Sequence, residues 1–189
     1  MTTSADDPLD APTAALAAAV LEVARHVGGQ PLAAPHLFAL ARSAELLASS
    51  PGIAALLGIG EQGTNAPDAL HLTPIDLEID APAGADPLAV LESADWPDLT
   101  AGGAITCDLA PQSWNVASTS PTDAGRRAPR SSDAPLRSSD APLRVVVAAL
   151  ADGTTWSALH RGDEDGYVLG AALLPEITSA LLHTLRERG

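Results

Sequence analysis

The sequence predicts an α+β fold, a largely antiparallel sheet of four to five strands with the N-terminal and C-terminal helices packed on one face. Three observations predict it. Residues 145–150 form an apolar run that leads into Asp152-Gly153, a pair that favours hairpin turns because glycine tolerates positive φ. Apolar residues recur at spacings of three and four near both ends of the chain. Between them, short strand-like and helix-like segments alternate.

The first helix is predicted to begin after Asp10 or Thr13 and to end at Gly28-Gly29. Either polar residue can cap a helix N-terminus, and glycine commonly follows the last helical turn. The apolar face of this helix consists of Leu16, Val20, Val23 and Val27.

Three strands and three short helices are predicted between residues 31 and 110. The strands cover 36–41, 70–79 and 104–109, and the helices cover 42–48, 51–58 and 86–94. Pro74 lies inside the second strand, which is therefore at an edge or broken, because proline cannot donate to a ladder. We expect Cys107 in the core, because its strand alternates, and Trp96 at one end of the core.

The C-terminal part is predicted to form a hairpin, an acidic loop and a closing helix. The second hairpin strand begins at Thr154 and contains Trp156, and the acidic loop follows it. The closing helix presents one apolar face to the hairpin, made of Leu174, Ile177, Leu181 and Leu185.

The chain of 189 residues, 46% hydrophobic, suits a single domain at 10–189 after a disordered tail at 1–9. A low-complexity insert is predicted at about 111–142, where large apolar side chains are almost absent. It contains a direct duplication of Arg-Ser-Ser-Asp-Ala-Pro-Leu, and five of the ten arginines lie between 126 and 144. This locally basic segment can contact the acidic domain, weakly and in a salt-sensitive way. We expect Trp114, inside it, to pack locally.

The net charge of −14 argues against nucleic-acid binding, since phosphate contacts supply most of that affinity, and instead favours a basic protein partner. No apolar run approaches the roughly 20 residues of a spanning helix, so no membrane insertion is expected. The acidic N-terminal residues lack the positive region of a secretory signal, which predicts a cytoplasmic protein.

No cofactor is expected. Residues 58–63 match the GxGxxG string of dinucleotide-binding turns, but a helix precedes them where that motif requires a strand. The histidines are scattered singly and lack zinc-ligand spacing; they are His26, His36, His71, His160 and His183.

The densest mixture of functional side chains follows the hairpin and is the candidate surface site. Its carboxylates could bind Ca²⁺ or Mg²⁺, although the EF-hand spacing fails, and a solvated acidic loop is the simpler interpretation. The candidate residues are Trp156, His160, Arg161, Asp163, Glu164 and Asp165.

The leading hypothesis is a non-catalytic protein-interaction or chaperone-like cytosolic domain whose acidic surface engages a basic partner. It rests on the charge and on the lack of a recognisable catalytic motif. Two alternatives stay open. One is a metal-dependent hydrolase that uses the acidic loop 160–166, and the other is a small-ligand-binding domain.

Four stretches carry a family resemblance: 36–47, 72–78, Asp-Trp-Pro-Asp at 95–98 with Gly-Ala-Ile at 103–105, and 145–185 with Asp-Gly-Thr-Thr-Trp-Ser-Ala-Leu. Together they resemble an uncharacterised family of small acidic actinobacterial proteins known by a propionibacterial locus-tag label. The resemblance implies a one-domain cytosolic protein of unknown function. Residues 118–142 depart from the family pattern.

Overall fold

The computed structural model describes residues 9–28, 31–56, 69–110, 143–160 and 166–187. The described helices are α1 (Ala11–Val27), α2 (Ser43–Ser49), α3 (Pro51–Leu56), α4 (Pro87–Glu92) and α5 (Pro175–Glu187). The described strands are β1 (His36–Arg42), β2 (Leu72–Leu77), β3 (Thr100–Leu109), β4 (Leu143–Leu150), β5 (Thr155–His160) and β6 (Tyr167–Gly170).

The six strands form one sheet in the order β2-β1-β3-β4-β5-β6, and every neighbouring pair is antiparallel. The α+β class and the antiparallel sheet are therefore confirmed. The predicted count of four to five strands is too low, because the sequence pattern does not predict β6. This strand has only four residues and directly follows the acidic run, so its pattern is too short to identify a strand.

The terminal helices lie on opposite faces of the sheet, so the prediction that both pack on one face is wrong. On β4, Val146 and Ala148 share a core cluster with α1, whereas Val145 and Val147 share the other cluster with α5. Successive side chains of a strand point to opposite faces. A continuous apolar strand such as β4, buried from its second residue to its last, therefore needs cover on both sides.

β2 lies at one edge of the sheet, as one of the two alternatives for Pro74 predicts. Pro74 stands opposite Leu40 of β1, and β2 has no strand on its other side within the described sheet. The missing N–H of proline is harmless in a strand paired on one side only.

Several local predictions are confirmed. α1 ends at Val27, where Gly28 adopts a φ of 65°. The β4–β5 hairpin turns through Gly153, whose φ of 100° favours glycine, and the Asp152 carboxylate accepts a hydrogen bond from Thr154 N–H at 2.8 Å. Trp96 is buried in the core cluster that α5 covers.

Some predicted features lie outside the described residues. They are residues 1–8 of the N-terminal tail, the glycine motif at 58–63, and the insert at 111–142 with Trp114.

Candidate functional site

Two of the six candidate residues around the acidic loop are described, and both lie on β5. Trp156 is half-buried against the α1-side core, and its indole Nε1 is buried without a hydrogen-bond partner among the described residues. His160 ends the strand, and its ring lies 5.0 Å from that of Tyr167 on β6. The two residues are four positions apart on the strand, a distance of roughly 13 Å, so their side chains do not form one cluster. Arg161, Asp163, Glu164 and Asp165 lie outside the described residues.

A buried ion pair lies beside His160 in the same cross-strand row. Arg144 of β4 stands opposite Asp108 on one side and His160 on the other. Its Nε and Nη2 donate to the Asp108 carboxylate at 2.8 and 2.9 Å, and Nη1 donates to the carbonyl of Gly28. Asp108 also accepts from Leu32 N–H at 2.8 Å. The pair therefore joins the end of α1 and the following connector to the middle of the sheet.

The ionisation of this pair reflects its contacts. Burial alone would raise the pKa of the Asp108 carboxyl. The hydrogen bonds from Arg144 and from Leu32 N–H, together with the guanidinium charge, outweigh burial, so this pKa lies below its usual value. The same hydrogen bonds raise the pKa of Arg144, although burial opposes them. Each partner thus stabilises the charged form of the other. We interpret the pair as a structural tie, because its donors and acceptors are directed into the fold.

A serine and a histidine also meet at the start of α2. Ser43 Oγ lies 2.6 Å from His71 Nδ1 and 2.7 Å from Thr73 Oγ1, and Ser43 N–H donates to the His71 carbonyl at 3.0 Å. A nucleophilic serine must reach its substrate, but Ser43 is completely buried. These hydrogen bonds therefore attach α2 to the start of β2 and do not form a catalytic dyad.

A groove with a volume of about 740 Å³ lies between the end of β2 and α4. We call it the acidic groove. Its half-buried apolar floor includes Leu77, Ile79 and Ala85, with Val90 buried below. Its four charged lining residues are all exposed carboxylates: Glu78, Asp80, Asp86 and Asp95.

Local structure explains how these carboxylates meet. Glu78 and Asp80 are exposed, and they alternate with the half-buried residues Ile79 and Ala81 along the chain that follows β2. Asp86 precedes α4 and accepts a hydrogen bond from Leu88 N–H at 3.1 Å, as an N-cap residue does. In the sequence, this residue is only the first residue of the predicted helix 86–94. The sequence signal for these exposed carboxylates is the alternation of acidic and apolar residues at 78–81.

The arrangement favours a ligand that is both cationic and apolar. A carboxylate rim attracts positive charge, and an apolar floor gains free energy when a hydrophobic group covers it. Among the described residues, no group of three or more His, Cys, Asp or Glu is placed to hold a metal ion.

Cys107 is buried in the core, as predicted, and we expect it to be inert in the folded protein. Burial, together with the negative charges of Asp108 and Asp86, raises the pKa of its thiol to about 12. Maleimide at pH 8 should therefore leave the native protein unmodified, whereas the protein unfolded in urea should gain one adduct by mass spectrometry. Rapid labelling of the native protein would contradict this assignment.

These features define the class of protein: an α+β domain with a six-stranded antiparallel sheet between two helical layers and an acidic groove near one sheet edge. None of the described helices is long and apolar enough to cross a bilayer.

The family model described as PPA1309-like protein matches residues 16–186, and the chain belongs to this family. The family has no known function and takes its name from a propionibacterial locus tag, which confirms the resemblance seen in the sequence. No curated protein and no solved structure matches the chain significantly.

Proposed function

We propose that this protein is a non-catalytic interaction domain that binds a basic, partly apolar segment of a partner protein in the acidic groove. The observation that carries the proposal is the uniform charge of the groove. Each of its four charged lining residues is an exposed carboxylate, and half-buried apolar residues complete the lining. The net charge of −14 adds a long-range attraction for a basic partner.

The two parts of the groove contribute differently to binding. Exposed carboxylates accelerate encounter with a cationic partner and select against acidic ones, but each exposed ion pair adds little affinity. Covering Leu77 and Ile79 removes apolar surface from water and supplies the larger share of affinity. A purely cationic ligand should therefore bind more weakly than one that alternates basic and apolar side chains.

A fluorescent peptide of alternating arginine and leucine tests the proposal by anisotropy. The triple variant Glu78→Gln, Asp80→Asn, Asp95→Asn should bind it about eightfold more weakly, since each exposed ion pair contributes a factor of about two. Added salt should weaken binding to the wild type.

A matched variant, Asp10→Asn, Glu22→Gln, Glu176→Gln, removes three exposed carboxylates outside the groove lining. It should keep nearly the wild-type affinity. Equal weakening in both variants would show that only net charge matters, and the groove assignment would then be wrong.

A small cationic ligand is the second candidate, because the groove volume of about 740 Å³ matches that of small-molecule sites. In the same assay, an alkyl amine that displaced the peptide from the wild type at micromolar concentration would favour this candidate.

A further inference from the structure

The acidic groove begins at an edge of the sheet. β2 is the last strand on that side of the described sheet, and it pairs with β1 alone. In an antiparallel ladder, alternate residues direct their N–H and C=O groups to opposite sides of a strand, so about half of these groups in an edge strand have no strand partner. Leu77 is the last residue of β2 that pairs with β1, and it also lines the groove.

The chain beyond β2 continues along the groove without backbone pairing. Residues 78–81 all line it. None of their N–H or C=O groups forms a hydrogen bond with the backbone of another described residue. The next such bonds along the chain involve the carbonyl of Pro82 and the N–H of Gly84. An incoming extended chain can therefore pair with residues 78–81 without breaking a backbone hydrogen bond between described residues.

Two prolines limit the stretch on which another strand can pair. Pro74 lies inside β2, and Pro82 follows residue 81. Neither has an N–H to donate to a ladder. The uninterrupted stretch is 75–81, and residues 77–81 of it line the groove. A strand of about five residues, roughly 17 Å long, matches this length.

The side chains of this stretch alternate with the period of a β-strand. Glu78 and Asp80 are exposed, whereas the alternate residues are half-buried and pack against the core cluster that α5 covers: Leu77, Ile79 and Ala81. Residues directly opposite each other on paired strands have their side chains on the same face. A paired strand therefore places every second side chain beside a carboxylate and the others beside apolar residues.

We propose that the partner segment binds as an additional β-strand along residues 77–81. This inference rests on the proposed function for the identity of the site, and it specifies the ligand: an extended segment of about five residues in which basic and apolar side chains alternate. Main-chain hydrogen bonds supply affinity in this mode of recognition, and the alternate side chains supply specificity. A second copy of this chain is a poor occupant, because each copy carries a net charge of −14.

N-methylation of the arginine-leucine peptide tests the added strand. The N–H groups of every second residue of a strand are directed to the same neighbour, so in this peptide they belong either to the arginines or to the leucines. One peptide is N-methylated on every arginine and another on every leucine. One of the two should bind at least about tenfold more weakly than the unmodified peptide, because it loses about two inter-strand hydrogen bonds, and the other should bind nearly as well.

The outcomes separate the added strand from the proposed function. Equal affinity of the two N-methylated peptides, whether unchanged or equally weakened, would overturn the added strand. Groove binding would still stand if the unmodified peptide distinguished the triple carboxylate variant from its matched control. An unmodified peptide that does not bind the wild type would overturn both proposals.

A peptide of the same composition, with its leucines at spacings of three and four, is the matched control for conformation. This spacing places the apolar side chains on one face of a helix, whereas strict alternation places them on one face of a strand. The rearranged peptide should bind several-fold more weakly than the alternating one. Equal affinity of the two peptides would contradict an extended ligand.

Backbone hydrogen exchange in the protein provides an independent measurement. Saturation with the alternating peptide should slow exchange at least about tenfold at alternate amides within residues 77–81, because an added strand bonds every second N–H. The amides of α1, which covers the opposite face of the sheet from α5, should exchange at an unchanged rate. Slowing at every amide of 77–81, or at none, would count against strand pairing.

Discussion

Replacing Arg144 by methionine is expected to lower the free energy of unfolding by about 3–5 kcal/mol, the cost of breaking a buried ion pair by removing one partner. The side chains of Arg144 and Asp108 are only 9% and 10% exposed, and their two hydrogen bonds form a paired, fork-like contact. Methionine fills much of the same volume but leaves the carboxylate buried without its cation. Urea unfolding monitored by tryptophan fluorescence provides the measurement.

The loss should extend beyond the pair itself. Arg144 also donates to the Gly28 carbonyl, and Asp108 accepts from Leu32 N–H, so both residues bind the chain between α1 and β1. Hydrogen exchange in α1 should therefore accelerate in the Arg144→Met variant. Faster exchange confined to β4 would contradict the structural tie described above.

The double variant Arg144→Met, Asp108→Leu shows whether the loss of stability comes from the missing contacts of Arg144 or from the buried Asp108 carboxylate that is left without a cation. Replacing both partners by apolar groups removes the unpaired carboxylate, so the double variant should be more stable than Arg144→Met alone. A double variant that is less stable than the single one would show that packing, and not the unpaired charge, dominates the loss.

The same pair predicts a specific response to acid. The pKa of Asp108 is lower in the folded protein than in the unfolded chain, so the pair contributes stability above the unfolded value of about 4, and this contribution is lost as the pH falls through the folded pKa. Below about pH 4, the free energy of unfolding of the Asp108→Asn variant should therefore fall less steeply with decreasing pH than that of the wild type.

Short-range patterns predicted the elements whose causes are local. α1 follows from its apolar spacing and its terminal Gly28, and α4 follows from the Asp86-Pro87 start. The hairpin follows from Asp152-Gly153. In each case, the residues that determine the structure are neighbours in the chain.

The errors concern how the elements are arranged in space. The apolar run of β4 predicts a buried strand, but it does not say which helix covers which face, and one shared face was the wrong choice. The groove was missed for a similar reason. Glu78 and Asp95 are far apart in sequence, and they share a lining only because α4 packs beside the end of β2.

Placing alanine at Gly103 is expected to destabilise the fold by about 2 kcal/mol, within the range for overpacked cores. A Cβ at this position would lie 2.5 Å from Cη2 and 2.7 Å from Cζ3 of Trp96. The indole is rigid and 5% exposed, and its Nε1 donates to Thr184 Oγ1 at 3.3 Å. The ring has little freedom to move away, so either β3 or the indole must shift.

Two controls show whether the contact with Trp96 is the cause. Gly52→Ala places a Cβ where no atom lies within 4 Å, and it should leave stability unchanged or raise it by up to about 1 kcal/mol through helix propensity. Trp96→Phe removes the distal ring atoms that the new Cβ would meet. Gly103→Ala should therefore cost about 1 kcal/mol less in the Trp96→Phe background. An equal cost in both backgrounds would show that Gly103 is required by the backbone of β3 and not by the indole above it.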